Sequence, residues 1–252
     1  KGIQRKVAMQ HLATVDATSL KREVSTLLKD PFPEIRLEAI SQIDSEMLVL
    51  LKPQLLDLAA KDSYPSVRTA ALNALSLSPD SGSSAIAQSI LKNDESYSVF
   101  AAALQLLFAA NQNEGRNFTK QLLNTKDRNI ILAQSSIFAK YPSSQEKEFF
   151  SKGTASLSEV YLFHFLGNYT EFASTLGEGV YANWLSDMKA VLARPNNSLI
   201  NKFGVYNSLY TMKSQLVDDS DPATKTLKEG ITTLATELLN NEPNGQLKAF
   251  LQ

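Results

Sequence analysis

Apolar residues in the first half of the chain fall into groups that recur at a fixed interval. One group is Ile35, Ala39, Ile40 and Ile43; the next is Val67, Ala71, Leu72 and Leu75; the third is Val99, Ala103, Leu104 and Leu107. Each member lies 32 residues after its counterpart. Steps of four, five and eight residues within a group place its members on one stripe of a helix. A polar turn precedes each group: Asp30-Pro31-Phe32-Pro33-Glu34, Asp62-Ser63-Tyr64-Pro65-Ser66 and Asp94-Glu95-Ser96-Tyr97-Ser98. A period in this range marks stacked supersecondary units. The pattern therefore predicts an all-α stack of antiparallel helix pairs. The three groups form the second helices, and the stretches between them supply the first.

Each recurring position has a physical role. Asp30, Asp62 and Asp94 are expected to cap backbone N–H groups before a helix, where a carboxylate also meets the positive end of the helix dipole. Pro33 and Pro65 fit the first helical position, where a missing N–H costs nothing. Ala39, Ala71 and Ala103 leave room for a neighbouring helix. Arg36 and Arg68 follow the aspartates by six residues. Residues one repeat apart lie roughly above one another in such a stack, so these charges are expected to form an Asp/Arg ladder between repeats in preference to a binding ridge. Phe100 stands where the third arginine would be, and the ladder should end there.

The pattern weakens in both directions. Asp127 to Phe138 fits a fourth unit after a 33-residue step, and Ile3, Val7 and Ala8 fall one period before the first group. On this reading the chain opens inside a repeat, as a fragment of a larger protein would, with an apolar face left uncovered around Ile3, Val7 and Leu12. Beyond Pro142 the period is lost but helical spacing persists. Helices are expected in the run that Ser156-Leu157-Ser158-Glu159 opens and that continues through Phe172, from Gly179 to about Ala193, from Ser198 through Met212, and from about Ala223 to Leu239. An acidic loop at Asp218–Asp221, a turn at Glu242-Pro243-Asn244-Gly245 and a tail with Phe250 and Leu251 complete the chain. The expected organisation is a single helical-repeat domain over 1–252, regular over 1–142 and built of irregular hairpins over 143–252.

Composition adds mainly exclusions. Hydrophobic residues make up 43% and glycine numbers only 10, as suits helices. A net charge of −1 argues against a nucleic-acid partner, which needs a basic face. No run approaches the ~20 apolar residues of a membrane-spanning helix. With no cysteine, disulfides and thiolate metal sites are excluded, and two histidines without cysteine argue against a zinc site of ordinary type. His11 precedes Leu-Ala-Thr and His164 precedes Phe-Leu-Gly, so neither belongs to His-Glu-x-x-His. There is no phosphate-binding glycine loop and no Gly-x-Ser-x-Gly elbow. Asp218 and Asp219 read as a solvated turn, and His164 as a hydrogen-bonded core or interface residue. The aromatics Tyr161, Phe163, Phe165, Tyr169, Phe172, Tyr181, Trp184, Phe203, Tyr206 and Tyr210 read as core at helical spacing, in preference to a ligand pocket. No catalytic, cofactor-binding or metal-ligating residue emerges.

The succession Asp30 to Arg36, Asp62 to Leu75 and Asp94 to Leu104 resembles the C-terminal HEAT-like region of bacterial gluzincin aminopeptidases, the alanyl-aminopeptidase type of peptidase family M-one. Ser96-Tyr97-Ser98-Val99 with its alanine-rich continuation is the most particular part, and the resemblance extends over about residues 25–110. It implies a HEAT-like α-α superhelix that packs on the catalytic domain of the same polypeptide and helps enclose the peptide substrate's route at their interface. The zinc, its ligands and the water-activating glutamate would lie in that catalytic domain, and none of its motifs occurs here. The alternatives are a free-standing HEAT scaffold whose concave face binds a partner protein, and a HEAT-type enzyme acting on nucleic acid or tetrapyrroles.

Overall fold

The computed structural model describes residues 2–195, 197–216, 221–241 and 245. Among them there are fourteen α-helices, one short 3-10 turn and no strand. The helices gather into two compact units, Lys1–Asn124 and Thr125–Gln252. The expected acidic loop at 218–220, the turn at 242–244 and the tail at 250–251 lie outside the described residues.

The first unit holds α1 (Gly2–Val15), α2 (Ala17–Leu27), α3 (Pro33–Ser41), α4 (Ser45–Lys61), α5 (Pro65–Leu75), α6 (Ser81–Asn93), α7 (Tyr97–Ala110) and α8 (Gln112–Gln121). Helices α1, α3, α5 and α7 pack one on the next, while α4 lies against α5 and α6, and α6 against α7. The recurring groups thus line one row of helices. Ile35, Ala39, Val67, Ala71, Leu72, Leu75, Val99, Ala103, Leu104 and Leu107 are all fully buried. Pro33 and Pro65 occupy the first turns of their helices, as their missing N–H dictates. Since Ala71 is fully buried between packed helices, Ala71→Leu is expected to overpack the row and cost about 1–3 kcal/mol; an unchanged thermal melt would show that the site tolerates bulk.

The turn aspartates act one step earlier than expected. Asp30, Asp62 and Asp94 accept the amides of Phe32 (2.8 Å), Tyr64 (2.9 Å) and Ser96 (2.8 Å), two residues on. They brace the turns, and the capping positions Phe32, Tyr64 and Ser96 make no side-chain cap bond. Their other partners are the arginines. Arg36 Nε and Nη2 donate to Asp62 Oδ2 and Oδ1 at 2.7 and 2.8 Å, and Nη1 to the Asp30 carbonyl at 2.6 Å. Arg68 repeats all three bonds one period later, to Asp94 at 2.9 and 3.0 Å and to the Asp62 carbonyl at 2.9 Å. The Asp/Arg ladder is therefore formed. It also starts earlier than the spacing suggested: Arg5 Nη1 reaches Asp30 at 2.7 Å. Phe100 ends the series by packing on Phe118 of α8, ring centroids 6.2 Å apart.

A second, more exposed ladder joins the first helices. Asp16, Asp44 and Asp80 cap α2, α4 and α6 by accepting the amides of Ser19, Met47 and Ser83. Lys21 pairs with Asp44, and Lys52 with Asp80 at 2.9 Å. The Lys52 ammonium, then the Ser83 amide, hold the Asp80 carboxyl down to about 2. At Gly115 the backbones of α7 and α8 touch. A methyl group there would sit 2.3 Å from Phe108 Cα, a clash no rotamer change relieves.

The second unit comprises α9 (Arg128–Lys140), the 3-10 turn (Ser144–Glu146), α10 (Lys147–Ser156), α11 (Glu159–Leu176), α12 (Glu178–Leu192), α13 (Leu199–Gln215) and α14 (Pro222–Asn241). Again two rows form: α11 packs on both α9 and α13, and α12 on both α10 and α14. Ser198 and Asp221 cap α13 and α14 from the turns that the pattern marked. The core between the rows is aromatic. Phe150 stacks on Tyr169 at 4.9 Å and meets Phe172 at 4.3 Å and Phe165 at 5.5 Å. Trp184 is fully buried and donates to Thr170 Oγ1 at 3.2 Å. The Tyr169 hydroxyl donates to Asp187 (2.9 Å), and burial together with that carboxylate pushes its pKa up.

His164 departs from the core expectation: it is exposed. Leu162, Phe165, Leu166, Tyr169, Phe172 and Ala173 take the buried stripe of α11, and His164 falls opposite, with Val160, Gly167 and Glu171. Apolar neighbours in sequence occupy both sides of a helix, because successive residues turn by about 100°.

Candidate functional site

The aromatic set is largely core, as expected: Phe165, Tyr169, Phe172 and Trp184 are fully buried and Tyr161, Phe163, Tyr181, Phe203 and Tyr206 half-buried, with only Tyr210 exposed. Phe149 and Phe150, which the sequence reading passed over, supply the centre of the cluster. His11 and His164 stand exposed in different units. Among the described residues no group of three or more His, Cys, Asp or Glu is arranged to hold a metal ion. No helix of the described residues is long and apolar enough to cross a membrane.

Polar chemistry converges instead in the second unit, where the start of α9, the end of α10 and the start of α11 enclose a cleft of about 560 Å³. Lys126, Arg128 and Lys152 line it, with Tyr161 as a wall. Asp127 also lines it, and its Oδ1 caps α9 by accepting the amides of Asn129 and Ile130 at 2.9 and 3.1 Å. The Arg128 guanidinium lies 4.8 Å from the Tyr161 ring centre, and the Tyr161 hydroxyl donates to Asn129 Oδ1 at 3.2 Å. Lys152 pairs with Glu148 at 2.8 Å, both side chains largely exposed, so that pair is soft.

The floor is pinned from behind. Arg194 donates to the carbonyls of Leu157 (2.8 Å) and Thr154, and burial lowers its pKa. Ser158 stands at the N-cap of α11 without making a cap bond. Glu159 has φ 54°, the left-handed region, and its amide is taken by Asn201 Oδ1 at 2.8 Å. The arrangement offers cations, a ring and an open helix start, and suits binding an anion more than transforming one. The sequence showed Asp127-Arg128 only as a repeat turn; the signal for a site was Tyr161, one 33-residue step after Arg128.

A second cleft of about 680 Å³ lies between α12 and α14, walled by Tyr181, Leu185, Ala223 and Leu227 with Glu178 and Lys189 at its edge. Burial, then the charge of Asp221, raises the Tyr181 pKa. It is apolar and presents no group poised for catalysis. Compared with known proteins, the chain matches no family model, no curated protein sequence and no solved structure.

Proposed function

We propose that this chain is a HEAT-like stack of helix pairs that works by presenting surface to another protein domain, and that the domain is the catalytic part of a zinc aminopeptidase of the gluzincin type. The observation that carries the repeat reading is the ladder: Arg36 and Arg68 make the same three bonds, one period apart, to Asp62 and Asp94 and to the carbonyls of Asp30 and Asp62. Such a ladder locks the rotation between successive pairs, which is what a stack needs in order to hold a defined face toward a partner. The resemblance of residues 25–110 supports the aminopeptidase assignment. On this reading the chain supports hydrolysis by enclosing the substrate's route, and zinc and general base belong to the catalytic domain.

A free-standing scaffold is the second reading. It is favoured by Phe32, Tyr64 and Tyr97, aromatic residues at the starts of α3, α5 and α7 that keep 39%, 47% and 61% of their surface exposed. The reading frame upstream of Lys1 decides between the two. A His-Glu-x-x-His motif there, joined to this chain in one polypeptide, supports the aminopeptidase; an unrelated upstream frame overturns it and leaves the scaffold. Chelator-sensitive release of an aminoacyl fluorophore by the purified chain would overturn both.

A further inference from the structure

We propose that the cleft at the start of α9 and α11 is a binding site for a small molecule with a phosphate or carboxylate head and a compact apolar body. It stands independently of the aminopeptidase reading.

Three observations carry it. First, the cations are unspent. Arg36 and Arg68 of the first unit each have a carboxylate in bidentate contact, but among the described residues none lies within ion-pair distance of Lys126 or Arg128. The one carboxylate on the wall, Asp127, has a shared oxygen turned to two amides of α9. Arg128 is instead stacked on Tyr161, which fixes the plane of the guanidinium and leaves its forked donors for an oxyanion.

Second, α11 begins at the cleft without a side-chain cap, although serine is among the best capping residues. Asn201 serves only the Glu159 amide. Ser158 and Tyr161 line the cleft, so the positive end of the α11 dipole lies beside it, with Glu159 the acidic residue of that first turn.

Third, Glu159 holds a left-handed backbone, a conformation that costs a non-glycine residue on the order of 1–3 kcal/mol. The strain is kept in place by Asn201 beneath it and by Arg194, which ties down the 154–157 segment. Strain sustained by surrounding bonds at the mouth of a cleft is a mark of a preorganised binding site.

The dimensions suit a small molecule, since about 560 Å³ is within the usual range for ligand pockets. Tyr161, Ile131 and Leu157 give the body an apolar wall. Lys126 and Arg128, with Lys152 already paired to Glu148, select a negative head, and the head binds by the same donors whether it is phosphoryl or carboxyl.

Calorimetric titration of the full chain with phenyl phosphate, benzoate and inorganic phosphate tests this. Phenyl phosphate or benzoate should bind more tightly than inorganic phosphate, because only they fill the apolar wall. Preference between the first two assigns the head as phosphoryl or carboxyl. The double variant Lys126→Gln/Arg128→Gln should weaken binding by about tenfold or more, as loss of charge-assisted bonds requires, and added salt should weaken the wild type likewise. Lys140→Gln, at the far end of α9, should leave binding unchanged. Ser158→Asp would place a carboxylate at the cap and should abolish binding while raising the melting temperature, which separates a lost site from a lost fold. No heat of binding for any of the three probes at about tenfold above the millimolar range expected of weak anion sites, or equal binding by wild type and double variant, would overturn the proposal.

Discussion

Arg36→Met is expected to lower the stability of the first unit by about 3–5 kcal/mol, the usual cost of breaking a buried ion pair from one side. The Arg36 and Asp62 side chains are only 10% and 4% exposed. Removing the guanidinium strands the Asp62 carboxylate with one amide, that of Tyr64, and leaves the Asp30 carbonyl without its donor. Most of the loss is the desolvation of a charge left alone, and that gives the test its control. Arg36→Met combined with Asp62→Leu should recover much of the loss, since a hydrophobic replacement of both partners removes the stranded charge. Lys21→Met, in a pair whose side chains are half-exposed, should cost far less than Arg36→Met. Urea melts of the four proteins decide the matter. A loss near zero for Arg36→Met, or a double variant no better than the single, would mean that the ladder ornaments the stack without holding it.

Phe150→Ala in the second unit should cost about 3–5 kcal/mol through lost burial and an unfilled cavity. Phe150 is fully buried, and the rings of Phe149 in its own helix and of Phe165, Tyr169 and Phe172 in α11 surround it. Little can collapse into the space, because the neighbours are themselves large and held: Tyr169 by Asp187, and Trp184 by Thr170. Trp184 is the only tryptophan and belongs to the same cluster, so its fluorescence reports the melt of this unit directly. Tyr210→Ala, removing a ring that is 67% exposed, should change stability by no more than about 0.5 kcal/mol. Equal effects at the two positions would contradict the packing described.

Some of this was legible residue by residue. Pro33 and Pro65 mark helix starts because a ring that fixes φ and lacks an N–H has few other places to go. Ala39, Ala71 and Ala103 announce a tight row because nothing larger recurs there. The arginine–aspartate ladder followed from spacing alone, since stacking one unit on the next brings those positions together. Arg5 escaped notice because it is displaced by one residue from the period, and a long flexible side chain absorbs that shift where a buried apolar residue could not. Gly115 was equally silent: a glycine in a polar stretch says nothing until a neighbouring backbone is found against it.

The cleft was further from reach. Lys126, Arg128, Lys152 and Tyr161 sit on separate elements, and each has an ordinary reading by itself as a solvated charge or a core ring. His164 shows the same limit in reverse, since apolar neighbours along the chain cannot say which side of α11 faces inward. By itself the sequence determined the all-helical class, the second helices of the first unit and the pairing of Arg36 and Arg68 with aspartates one period on, while α10 went unread. These depend on local periodicity and on a single translation from unit to unit. The tertiary structure alone decided the division at Asn124, the aromatic centre on Phe150 and the meeting of cations beside the uncapped start of α11. Those depend on the angles at which helices of unequal length cross, which are set by the packing of many side chains at once and leave no period to read.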